Sequence, residues 1–164
     1  LQCNIKIKFK MNIDYIKATF GYIGFVPFAI LAIIPWIFGE SIAQTAIIFQ
    51  IAYGSIILTF LGGMAWGWRD DQKNQKINLA IGIAYSLIGC MLLLLIYLQF
   101  ILSALLISVV SFQSFYYFER STEDFVKRSE DYMHFRKMLS LLVSISFLIS
   151  SAYWINPYSN PLNF

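Results

Sequence analysis

Few residues in this chain could do chemistry, and their positions limit it. Asp70-Asp71 is the one close carboxylate pair, beside Arg69 and Lys73. Adjacent carboxylates can share a metal or a proton, but cations on both sides point to a salt-bridged loop. His134 is the only histidine, so a histidine-built metal site or proton relay lacks a second member. Glu40 stands between Gly39 and Ser41, where a carboxylate would be solvated near a helix N-terminus. Cys3 and Cys90 are far apart and give no basis for a disulfide framework or a cysteine metal site. No catalytic serine arrangement, H-E-x-x-H, phosphate-cradling glycine loop or haem-attachment motif is present. The sequence therefore predicts no catalytic residue, no metal and no cofactor. An enzyme would have to draw on Glu40, Asp70, Asp71 or His134.

The elements around these residues explain the scarcity. Of 164 residues, 59% are hydrophobic and 13% charged, against roughly 25% charged in a soluble domain. The charges also cluster, leaving long intervals that cannot face water, which excludes a water-soluble enzyme. Between Lys17 and Arg69 the only charged residue is Glu40, and residues 77–118 contain none. A helix rises about 1.5 Å per residue and the hydrocarbon layer is about 30 Å thick, so about 20 residues cross it. The uncharged 77–118 stretch is twice that and must turn back, most simply at Tyr97-Leu98-Gln99-Phe100. The last apolar run stops at Asn156-Pro157. The runs are continuous rather than alternating, which in lipid means helices. The expected fold class is all-α, a polytopic five-helix transmembrane bundle, with spans near 18–38, 44–67, 77–97, 100–118 and 138–155. A tail, 1–17, precedes a single integral-membrane domain, 18–164. A cleaved signal peptide is not expected, because the run from Ala18 is too long and lacks a small-x-small site at its end.

Five spans place Lys6, Lys8, Lys10 and Lys17, then Arg69, Lys73 and Lys76, then Arg120, Lys127, Arg128, Arg136 and Lys137 on one side. The positive-inside rule makes that side cytoplasmic, with the C-terminus outside. Trp66 and Trp68 fall at the inner boundary and Trp36, Tyr153 and Trp154 at the outer, as anchors would. Net charge is +3. Basic residues beside spans serve orientation and anionic lipid, so the lipid bilayer is the expected partner and nucleic acid is not.

Inside the spans, Ser55, Thr59, Gly63 and Gly67 recur every four residues, as do Asn78, Gly82, Ser86 and Cys90. Rows of small residues let backbones approach closely, which is how helices associate in lipid. Helix packing is the first use of these rows. A polar conduit lined by Ser55, Thr59, Asn78 and Ser86 is the second. Pro27 and Pro35 interrupt the first span, and Pro27 frees a carbonyl in the stretch 20–24, a tolerated kink or a hinge. None of the spans holds an ionisable residue by this division. Residues 119–137 form the largest loop. There Ser121-x-x-Asp124 could start a helix, and Glu123 and Asp124 stand four residues before Lys127 and Arg128. Phe125, Val126, Tyr132, Met133 and Phe135 give that loop an apolar side, which is expected to lie on the membrane surface.

Two stretches carry a resemblance. Phe20-Gly21-Tyr22-Ile23-Gly24-Phe25-Val26-Pro27-Phe28 resembles L-G-Y-x-G-x-x-P-F. The stretch Tyr53-Gly54-Ser55-Ile56-Ile57-Leu58-Thr59-Phe60-Leu61-Gly62-Gly63-Met64-Ala65-Trp66-Gly67 is similar to Y-x-x-x-I-L-S-F-L-G-G-x-x-W-G. The first is the opening and the second the signature of the domain of unknown function 3429 family, small membrane proteins related to transmembrane protein 69. Residues 132–139, with Arg136, weakly resemble that family's segment before its last span. The resemblance implies a bacterial inner-membrane protein without an assigned activity. Gly21, Tyr22, Gly24, Pro27, Phe28, Tyr53, Phe60, Leu61, Gly62, Gly63, Trp66 and Gly67 are its motif residues.

Three functions compete on these grounds. Packing rows without buried ionisable groups favour a non-enzymatic scaffold or assembly helper, acting with a membrane-protein partner or as a homo-oligomer. A small-solute transporter or channel would use the glycines of the second span, the Pro27 kink and the polar face of the third. A membrane enzyme comes last.

Overall fold

A computed structural model describes the backbone of residues 2–68, 72–127 and 129–156, with side chains for 19–68, 75–122, 125–127 and 129–156. Among these residues every regular element is a helix: α1 (Gln2–Ile37), α2 (Glu40–Ala65), α3 (Gln72–Tyr97), α4 (Ile101–Arg120), α5 (Glu123–Val126) and α6 (Glu130–Ile155). Five of them contain stretches long and apolar enough to cross a membrane: Thr19–Ile37, Glu40–Ala65, Gln75–Tyr97, Ile101–Arg120 and Glu130–Ile155. The chain is thus a five-span, all-α membrane protein. α1 runs back to Gln2, so the backbone of the tail continues the helix of the first span.

Local chemistry sets the breaks. Gly39, extended at φ −65° and ψ 166°, caps α2, and the amides of Ile42 and Ala43 donate to its carbonyl. Glu40 then occupies the first turn, where the helix dipole favours a carboxylate. The turn expected at 97–100 is a Schellman closure. Gln99 stands in the left-handed region at φ 64°, its amide donates to Ile96 O, and the Phe100 amide reaches back to Leu95 O. That bonding satisfies the last carbonyls of α3 within the turn itself. Ser129 caps α6, its hydroxyl accepting from the Tyr132 amide at 3.3 Å.

α2, α4 and α6 hold the centre and are more deeply covered than α1 and α3. α1 packs into the groove between α2 and α6, and α3 into the groove between α2 and α4. The core gathers Phe28 of α1, Ile47, Ile51 and Leu58 of α2, Leu105, Phe112 and Phe115 of α4, and Val143 and Phe147 of α6. Gly21 meets Phe135 and Trp36 meets Tyr153, so α1 and α6 run parallel. The start of α1 and the end of α6 therefore lie at opposite ends of the bundle.

Candidate functional site

The two signature stretches fold onto each other. Pro27 supplies no amide to the preceding turn of α1, and there the Gly24 carbonyl accepts from the Tyr53 hydroxyl of α2 at 2.9 Å. One turn on, Phe28 is fully buried among Tyr53, Phe112 and Phe147, with ring centroids 4.9, 5.9 and 5.6 Å away. A Cβ at Gly54 would stand 2.6 Å from the Phe147 ring, and one at Gly21 2.2 Å from that of Phe135. Tyr22 packs edge-on against the same Phe135 at 5.1 Å. Leu61 is buried, whereas Phe60 faces outward.

Contact between α2 and α3 runs through residues the four-residue rows only partly identify. A Cβ at Gly62 would lie 2.6 Å from the Gly82 carbonyl oxygen, and one at Gly89 2.4 Å from Thr59 Oγ1. The Ser55 hydroxyl donates to Gly89 O at 2.6 Å. Gly63, by contrast, has nothing within 4 Å of where its Cβ would stand, Gly67 meets only Met64 O of its own turn, and Cys90 is exposed. The reason is angular. Four residues advance a helix about 40° beyond one turn, so a strict four-residue row leaves the interface after two steps, whereas Gly62 and Gly89 stay on it. The polar members are spent on backbone carbonyls: Thr59 donates to Ser55 O at 2.8 Å and Ser86 to Gly82 O at 3.1 Å. Asn78 is buried. The Trp66 ring covers Gly82.

The division into spans and loops left Glu119 and Arg136 in the loop 119–137; in the structure both belong to the long helices that flank it. α4 continues to Arg120 and α6 starts at Glu130, so both residues are helical, and they are only 3% and 9% exposed. Arg136 Nε donates to both carboxylate oxygens of Glu119, at 3.1 and 2.9 Å, and Nη2 donates to Oε2. Above this pair the seam between α4 and α6 stays polar. Ser140 donates to Phe112 O at 3.0 Å, and Gln113 Nε2 donates to Ser144 Oγ at 2.9 Å. The surface helix expected of 119–137 is likewise reduced to α5, four residues long. Thr122, rather than Ser121, caps it. Phe125 and Phe135 turn into the bundle, Phe125 packing against Tyr116 and Tyr132.

At the centre, Gln50 of α2 is fully buried. Its Oε1 accepts from the Ser150 hydroxyl of α6, and its Nε2 has no hydrogen-bond partner among the described residues. Neither residue stood out in the sequence, where a lone glutamine in a span reads as one more small polar group.

A family model described as a protein of unknown function (DUF3429) matches residues 15–152. The chain belongs to that family. No curated protein and no solved structure matches it. The DUF3429 match covers the first four spans and the fifth as far as residue 152, within α6.

In this DUF3429 chain the other candidate residues stay apart. Glu40 and His134 are exposed, and among the described residues no three His, Cys, Asp or Glu side chains gather into a metal-sized group. Arg69 and Asp70-Asp71 lie outside the described residues, as do Arg128 and the side chains of Lys6, Lys8, Lys10, Lys17, Lys73, Glu123 and Asp124. Trp66 and Trp36 face outward as anchors would. Trp68 does not: it is 8% exposed and packs on Phe115 and Phe118 at 6.0 and 5.8 Å, because the chain turns back at 66–67 and carries it under α4. Tyr153, also read as an anchor, is buried against Trp36.

Proposed function

We propose that this DUF3429 protein is a non-enzymatic scaffold or assembly helper of the bacterial inner membrane, its N-terminus cytoplasmic and its C-terminus outside. The observation that carries the reading is where the signature residues go. Gly24 and Tyr53 bond to each other, Phe28 fills the core, and Gly62 makes room for Gly82. A chain that commits these positions to holding its helices in place offers a partner shape rather than reactive groups. The orientation follows from Lys76, Arg120, Lys127 and Lys137, all at one end of the alternating helices. Tagged full-length protein drawn from membranes in mild detergent is expected to bring down one defined partner in near-equal amount. Repeated recovery of the protein alone overturns the reading. Reporter fusions at the two termini are expected to signal from opposite compartments.

A small-solute transporter has one observation in its favour, the unpartnered Gln50 amide nitrogen at the bundle centre. Flux of small neutral solutes into liposomes above that of empty vesicles would select it.

A further inference from the structure

Three grooves surround the central helices, and only two are filled. α1 covers the groove between α2 and α6, and α3 the groove between α2 and α4. Among the described residues no helix lies on the outer side of the α4–α6 seam, and Leu106 of α4 with Leu141 and Leu148 of α6 are exposed on that flank.

The chemistry at one mouth of this groove names its occupant. α4 and α6 are antiparallel, since Glu119 meets Arg136 while Gln113 meets Ser144. Each residue turns a helix by about 100°. On two antiparallel helices that face each other, one step forward from a facing pair turns both side chains to the same flank. Arg120 and Lys137 are each one step beyond the Glu119–Arg136 pair, so both stand on the open flank. Both are exposed. Glu119 is saturated by Arg136, and among the described residues no carboxylate pairs with Arg120 or Lys137. Ser144 lies seven residues deeper than Lys137, about 10 Å along the helix, and its bond to Gln113 forms the floor. The walls beyond are apolar.

We propose that this groove holds one anionic phospholipid, its phosphate between Arg120 and Lys137 and an acyl chain along Leu106, Leu141 and Leu148. Two exposed cations without a carboxylate partner among the described residues, at the end of an apolar furrow, match a headgroup that carries negative charge and a tail that does not. A second copy of the chain would bring the same two cations against each other.

Full-length protein in mild detergent, mixed with phosphatidylglycerol or phosphatidylcholine of equal chain length and read by native mass spectrometry, tests the site. Wild type is expected to keep one phosphatidylglycerol at least about fivefold better than phosphatidylcholine, and Arg120→Gln and Lys137→Gln each to lower that preference about fivefold. Lys76→Gln, which removes an exposed cation from α3, is expected to leave it unchanged. Leu141→Trp narrows the furrow with both cations kept and is expected to displace the lipid. Circular dichroism of each variant confirms that it is folded. Equal retention of the two lipids, an equal loss in Lys76→Gln, or a dimer in place of the lipid adduct overturns the proposal.

Discussion

The hydroxyl of Tyr53 donates to the carbonyl of Gly24 at 2.9 Å, and this bond joins two stretches that lie 29 residues apart. Pro27 leaves the neighbouring Ile23 carbonyl without its helical amide donor, so the bond ties α2 to α1 within the proline turn. Tyr53→Phe keeps the ring beside Phe28 and removes only the hydroxyl. The expected loss is about 0.6–1.7 kcal/mol, the range for single interhelical bonds in membranes, seen as a lower midpoint in a denaturation series in mixed micelles.

Gly62 and Gly63 are neighbours in sequence with opposite surroundings. Gly62→Ala drives a methyl into the Gly82 carbonyl, which is backbone and cannot swing aside, so α2 and α3 must separate. A cost of about 1–3 kcal/mol is expected. Gly63→Ala projects into open space and is expected to be neutral or slightly stabilising through helix propensity. Thermal melting of the two variants side by side decides it.

Glu119→Gln leaves the Arg136 guanidinium buried without a charged partner, for which a loss of about 3–5 kcal/mol is expected. Replacing both, as Glu119→Leu with Arg136→Met, is expected to recover most of that loss, because an apolar pair of similar volume carries no desolvation cost. A double-mutant cycle on denaturation midpoints measures the coupling. Additive losses would show that the two side chains do not act as a unit.

Gln99 holds a left-handed conformation at φ 64° that costs an L-residue roughly 1–2 kcal/mol. Gln99→Gly removes that cost and adds chain entropy to the unfolded state. A net gain of about 0.5–1 kcal/mol is expected, read as a raised melting temperature.

Gln50→Met exchanges a half-satisfied amide for an apolar chain of similar length. The Ser150 hydroxyl keeps Ser146 O as an acceptor at 3.3 Å, so nothing new is orphaned. Stability is expected to rise by about 1 kcal/mol. A variant that loses stability would show that the amide is satisfied in the folded protein.

Span number and turns were legible because lipid makes composition decisive: charge-free runs of the right length admit only helices, and Gln99 stood within the four residues where the long run had to reverse. The α2–α3 pairing was half legible. Ser55, Thr59, Gly82 and Ser86 lie at the contact, but counting in strict fours selected Gly63 and Cys90 over Gly62 and Gly89, since a straight helix does not repeat every four residues. The Glu119–Arg136 pair escaped because charges were used as markers of where helices end. The signal that could have found it was Arg136-x-x-x-Ser140-x-x-x-Ser144, one face of polar groups continuing into the last span. Gln50 had no signal at all, because its partner is 100 residues away.

Phe28 closes its cage only when Phe147 arrives from the last helix. α6 follows α1, α2 and α4 in the chain, so the cage around Phe28 stays open on one side until α6 has joined them. A chain truncated after α4 would keep the Tyr53 and Phe112 walls of that cage and lack the Phe147 wall, leaving the ring uncovered on the side where α6 belongs.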